Sequence, residues 1–129
     1  MFDWKKPTVQ MLGRWQPWHA GHQELFKRCI AKTGQVIIQV RDVHGVSGGV
    51  GQNDNPFDFV TICADIDEAL KRDGYTRKID YEIMLVPNIV SITYGRNVGY
   101  VFEQELFEED ITKISGTRIR QELRTQGKL

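Results

Sequence analysis

Apolar positions along the chain recur with two different periods, and the alternation between them predicts the elements. Thr8 to Leu12 is a short, mostly apolar run of strand length that Gly13 breaks. From Ala20 onward, Leu25, Phe26, Cys29 and Ile30 fall on one helical face while Gln23, Glu24, Lys27, Arg28 and Lys32 fall on the other, with Gly34 as a stop. Gln35 to Arg41 holds Val36, Ile37, Ile38 and Val40, the nearly continuous β-branched run of a buried parallel strand. Asn55 as cap and Pro56 at the first helical position open a second helix, in which Phe59, Cys63, Ile66 and Leu70 repeat until Asp73-Gly74.

Lys78 to Val86 alternates and then becomes apolar, which predicts a third strand, and Ile89 to Tyr94 predicts a fourth. A short helix through Val98, Val101, Phe102 and Leu106 follows, interrupted by Gly99. Ile111 to Ile114 reads as a last short strand, and Ser115 caps a final helix with Ile119 and Leu123 on its apolar face and Gly127 at its end. Strands alternating with helices predict an α/β fold, a doubly wound parallel sheet in a single domain spanning residues 1–129. Between Asp42 and Asp54 the chain carries four glycines and little apolar content, which predicts a mobile loop that orders over substrate.

The chemistry concentrates where the first strand passes into the first helix, at Gly13-Arg14-Trp15-Gln16-Pro17-Trp18-His19-Ala20-Gly21-His22. Amides at a helix N-terminus and the helix dipole favour an anion, and imidazoles three residues apart on the first turn share a face from which they grip one phosphate group. Gly21 lacks a Cβ, so a bulky ligand can approach the backbone. A second anomaly lies in Ile114-Ser115-Gly116-Thr117-Arg118-Ile119-Arg120, where Arg118 and Arg120 sit in the first turns of a helix and oppose its dipole. A bound polyphosphate removes that conflict, and the hydroxyls of Ser115 and Thr117 add donors to it.

Composition narrows the ligand class. With Lys plus Arg and Asp plus Glu at 17 each, no overall basic field argues for nucleic acid or an anionic membrane, so basic residues act locally. Glu103, Glu105, Glu108, Glu109 and Asp110 read as a solvated acidic face. Both cysteines, Cys29 and Cys63, fall on apolar helical faces, and the chain shows neither a signal-like apolar region nor a run of membrane length, which together predict a cytoplasmic protein. Zinc on His19 and His22 needs further ligands, and His44, Cys29 and Cys63 show no ligand spacing.

The ten-residue stretch from Gly13 to His22 resembles the signature of the nucleotidyltransferase superfamily that carries a His-x-Gly-His motif, with a cytidylyltransferase-like domain. Within it the stretch looks most like the archaeal-type nicotinamide mononucleotide adenylyltransferases, which have phenylalanines where Trp15 and Trp18 stand. Ser115, Thr117 and Arg120 match the Ile-Ser-x-Thr-x-x-Arg motif that holds the β- and γ-phosphates in that superfamily. The resemblance implies a Rossmann-like fold and transfer of a nucleoside monophosphate, with pyrophosphate released. It places His19, His22 and Arg120 in catalysis, and Gly13, Arg14, Trp15, Gln16, Gly21, Ser115 and Thr117 around the nucleotide. Tyr94, Gly95 and Arg96, with Asn97, occupy the place of the family's base- and ribose-contacting loop. Arg41 stands near a basic phosphate-binding position, and His44 is a second candidate for acceptor contact.

Mg2+ on the triphosphate is the implied cofactor, and the implied partners are ATP and a small anionic acceptor, with no nucleic acid or membrane and with homo-oligomerisation left open. Two other readings share these motifs. One is a cytidylyltransferase using CTP and a phosphorylated alcohol such as glycerol 3-phosphate; the other is a nucleotide-binding module without turnover.

Overall fold

The computed structural model describes residues 1–46, 54–96, 99–105 and 116–127, with the side chains of 116–118 set aside. Strand β1 spans Val9–Gly13, helix α1 Ala20–Thr33, β2 Val36–Arg41, α2 Phe59–Arg72, β3 Tyr81–Val86 and α3 Gly116–Thr125. The strands form one parallel sheet in the order β1-β2-β3, with Met11 opposite Ile38 and Ile38 opposite Ile83. Each crossover is a helix, as parallel neighbours require.

One face of the sheet carries the core. Met11, Val36, Ile38, Val40, Tyr81 and Ile83 point to the same side and form one buried cluster with Phe26 and Cys29 of α1 and Ile62, Ile66 and Leu70 of α2. Both helices therefore lie on that face, as two right-handed crossovers winding in one direction dictate. They also meet each other: Gln23 Nε2 donates to Ala69 O and to Asp73 Oδ2, and Lys27 pairs with Asp73 at 3.0 Å. The opposite face, with Gln10, Ile37, Gln39 and Met84, is only partly covered, and Gln10 hydrogen-bonds Gln39 across it. The reversal of winding that makes a sheet doubly wound does not occur among the described residues, which show an α/β, Rossmann-like half.

Several expectations are corrected. Helix α2 starts at Phe59 with Asp58 as N-cap, its carboxylate accepting from Thr61 N at 2.9 Å, so Asn55 is not the cap. Ile89 to Tyr94 is not a strand: Asn88 is tied to Arg41, while Val90, Ile92 and Tyr94 are exposed and pair with no strand among the described residues. The described part of the next segment, 99–105, is not helical, and Gly99 at φ 91° is left-handed backbone that a right-handed helix cannot contain. Glu103 and Glu105 are more than a solvated face, because both pair with Lys32 and Glu105 also meets Arg28, fastening this segment to α1. Glu108 to Asp110 and the strand expected at Ile111 to Ile114 lie outside the described residues, as do residues 47–53 of the expected mobile loop.

Candidate anion site at the start of helix α1

The carboxyl edge of β1 delivers the chain into a turn whose own side chains build it. Trp15 adopts φ 56°, an uncommon conformation for a bulky residue, and its indole lies over Gly13. A Cβ at Gly13 would stand 2.8 Å from the Trp15 ring, so glycine is required there by close approach. Trp15 and Trp18 are 5% and 8% exposed, packed at 5.2 Å with Trp15 Nε1 donating to Gln39 O and Trp18 Nε1 to Gln23 Oε1. The indoles are walls of the turn. Gln16 is buried too: its amide donates to Phe57 O and accepts from Phe57 N, both at 2.9 Å.

Helix α1 begins with a reciprocal cap made of two histidines. His19 Nδ1 accepts from Gly21 N at 3.1 Å, and His22 Nδ1 accepts from His19 N at 3.2 Å. This is the geometry of the capping box, ordinarily made by Ser or Thr with Glu or Gln. The rings stack with centroids 3.6 Å apart and planes 20° apart, and Trp15 meets His22 edge-on at 4.7 Å. Because each Nδ1 accepts a backbone N–H, the neutral tautomer of each ring carries its proton on Nε2. Burial lowers the His19 pKa, and burial together with the His19 charge pushes His22 down to about 3. At neutral pH the pair therefore offers two uncharged Nε2–H donors at a helix start with no acidic residue in its first turn.

The last helix reaches this turn through one side chain. Arg120, 3% exposed, donates from Nη1 to Gln16 O at 2.5 Å. Burial and the nearby Arg14 lower its pKa, while Asp54 acts in the opposite sense. Arg14 in turn donates from Nη1 to Asn55 Oδ1 at 3.1 Å. Two arginines and two neutral imidazole donors thus gather at one turn, which suits a polyanion. Ser115 lies outside the described residues, and the placement of the Thr117 and Arg118 side chains is likewise not described.

The remaining predicted residues lie elsewhere. Arg41, at the end of β2, donates from Nη2 to Asn88 Oδ1 at 2.7 Å, while its Nε is buried with no hydrogen-bond partner among the described residues. It lines a cleft of about 530 Å³ with Leu12, the 89–92 segment and Phe102. His44 is exposed, close enough to the α2 cap for its charge to act on Asp58. Tyr94, Gly95 and Arg96 are exposed, and Tyr94 stacks on Phe102 at 5.4 Å and meets Tyr100 edge-on; Asn97 lies outside the described residues. Burial raises the pKa of both Cys29 and Cys63, which are thiols of the core rather than nucleophiles. Asn55-Pro56-Phe57 also resembles the adenylyltransferase pattern that opens the second helix, but the contact of Asn55 with Arg14 is not legible in the sequence, where Asn before Pro reads as a helix cap.

Fold and geometry define a class: a parallel α/β protein whose first strand-to-helix turn gathers neutral imidazole donors and arginines. No protein-family model matches the chain. It is similar to a nicotinamide-nucleotide adenylyltransferase of Methanococcus aeolicus strain Nankai-3, with 26% identity over 133 residues covering 88% of this chain and 75% of the relative. That likeness supports a relationship to nucleotidyltransferases. Among the described residues no helix is long and apolar enough to cross a membrane.

Proposed function

We propose that the protein is an adenylyltransferase that moves the adenylyl group of ATP to a small anionic acceptor and releases pyrophosphate. The observation that carries this reading is the reciprocal His19–His22 cap, with Arg120 bound to the same turn. In the proposed reaction an oxygen of the acceptor attacks the α-phosphorus in line. The bond from that phosphorus to the bridging oxygen breaks, and its electron pair leaves with pyrophosphate. The Nε2–H groups of His19 and His22 donate to the α-phosphate oxygens, on which charge grows in the transition state, and need neither gain nor lose a proton. Arg14 and Arg120 hold the β- and γ-phosphates, with Ser115 and Thr117 assigned to the same group by the motif they share with the superfamily. Positioning and electrostatics supply the acceleration, and no covalent intermediate on the protein is needed.

The acceptor's anionic group is assigned to Arg41, since a buried donor left without a partner costs about 1–3 kcal/mol, and an anion in the cleft beside it relieves that cost. Tyr94, Gly95 and Arg96 are assigned to the nucleoside. Magnesium carried by the triphosphate would neutralise part of its charge. The described side chains at the turn are donors and cations, and among the described residues no group of three or more His, Cys, Asp or Glu could hold a metal ion.

The test is to supply ATP or CTP with nicotinamide mononucleotide, glycerol 3-phosphate, a sugar phosphate or sulfate and to follow pyrophosphate. Release is expected with ATP, dependent on one acceptor and abolished in His22→Gln, which keeps the capping geometry. Release with CTP alone makes the protein a cytidylyltransferase. ATP binding without release for any acceptor makes it a binding module.

A further inference from the structure

We propose, resting on the phosphate-binding reading above, that Asn55 is a positioning residue that fixes the Arg14 guanidinium toward the polyphosphate while leaving its charge uncompensated. Asn55 is buried and joins three stretches of chain. Its Oδ1 accepts from Arg14 Nη1 at 3.1 Å, its Nδ2 donates to Val46 O at 2.5 Å, and its carbonyl accepts from Gly45 N at 3.0 Å. The amide orientation is fixed by these partners, because the reverse would set its NH₂ against the guanidinium.

The choice of an amide carries the argument. Arg14 and Arg120 stand close enough to repel each other, and like charges in a partly buried turn persist only where something holds them. Arg14 is held by a neutral acceptor, the Asn55 amide, while Arg120 donates to the Gln16 carbonyl. Asp54, next in the chain, lies in electrostatic range of Arg120, whereas among the described residues no carboxylate is within ion-pair distance of Arg14. A carboxylate at position 55 would still accept from the guanidinium, but it would cancel that charge and could not donate to Val46 O. An amide holds it and leaves the charge for a ligand. Asn55 also ties both ends of the 45–55 connection together, so the arginine is oriented by a frame rather than by one flexible contact.

The experiment measures ATP affinity by calorimetry, without acceptor, together with melting temperature, for the parent, Asn55→Ala, Arg14→Ala, the double variant and Asn55→Asp. Asn55→Ala is expected to weaken ATP binding about tenfold in the parent and by less than about twofold once Arg14 is absent, the coupling of a contacting pair. Equal losses in both backgrounds would show that Asn55 only supports the fold and would overturn the proposal. Asn55→Asp keeps the shape and the acceptor toward Arg14 but gives up the donor to Val46 O, so it is measured with and without Arg14→Ala, and its loss of ATP affinity must shrink to less than about twofold once Arg14 is absent. With Arg14 present it is expected to bind ATP at least about tenfold more weakly, and parent-like affinity would overturn the role of neutrality. A parent protein that binds no nucleoside triphosphate would overturn the proposed function itself, and this inference with it.

Discussion

Helices α1 and α2 are each 14 residues long, and each starts at the carboxyl edge of the sheet after a parallel strand, yet their first turns are built for opposite purposes. Helix α2 is capped by Asp58, whose carboxylate accepts from Thr61 N and whose pKa is lowered by hydrogen bonding from Thr61, its side chain first and its backbone second. A resident negative charge already satisfies the dipole there. Helix α1 is capped by two imidazoles that satisfy the backbone geometrically and bring no negative charge, while Arg14 and Arg120 add positive charge to the same turn. The dipole of α1 is left for a ligand. A neutral cap leaves a helix start open to an anion, and on that ground the proposed phosphate site is placed at α1 and not at α2.

The strongest way to break this comparison is to give α1 the cap of α2. His19→Asp should preserve the cap, since aspartate is among the best N-cap residues. It should nonetheless lower turnover about 100- to 1,000-fold, the effect of losing one preorganised donor, compounded by the added charge. Circular dichroism and pyrophosphate release would be compared on the same sample. Parent-like turnover would mean that α1 and α2 do not differ in function.

Arg120→Ala tests the second source of positive charge. Because Arg120 is buried and bonds Gln16 O, its loss should also lower the stability of the ligand-free protein, by about 1–2 kcal/mol once relief from Arg14 offsets part of the lost hydrogen bond. Pyrophosphate should raise the melting temperature of the parent much more than that of the variant. Equal shifts would remove Arg120 from the site.

The neutral cap predicts a pH dependence of known sign. Burial and the His19 neighbour lower the His22 pKa from 6.5 to about 3, so between these values the unfolded chain binds more protons than the native one. This contribution to stability is complete above about pH 6.5 and declines as the pH falls toward 3, with a slope no steeper than about 1.4 kcal/mol per pH unit. Denaturant melts of the parent and of His22→Gln should diverge in that window. Parallel curves would mean that His22 is not held neutral.

The smallest effect is expected at the other helix. Asp58→Ala should cost about 1 kcal/mol of stability and leave ATP affinity unchanged. A loss of affinity there would blur the contrast between the two helix starts.

The sequence by itself determined what local periodicity and termination signals encode. The course of β1, α1, β2, α2 and β3, the histidines at the start of α1 and the stop at Gly34 follow from spacing and caps, which act over a few residues. Only the tertiary structure decided what depends on a partner far along the chain. Ile89 to Tyr94 has the composition of a strand, but a strand exists only where a neighbour accepts its hydrogen bonds, and pattern alone cannot supply one. Whether Trp15 and Trp18 face a ligand or the core is invisible in their spacing and is settled by their packing on each other and on Gly13. Asn55 before Pro56 carries a local cap signal, yet its side chain closes a turn at Val46 and holds Arg14, 41 residues away. Arg120 finds Gln16 across 104 residues of chain. A buried polar group takes whatever acceptor the fold brings within about 3 Å, and distance in space is the quantity a linear sequence does not carry.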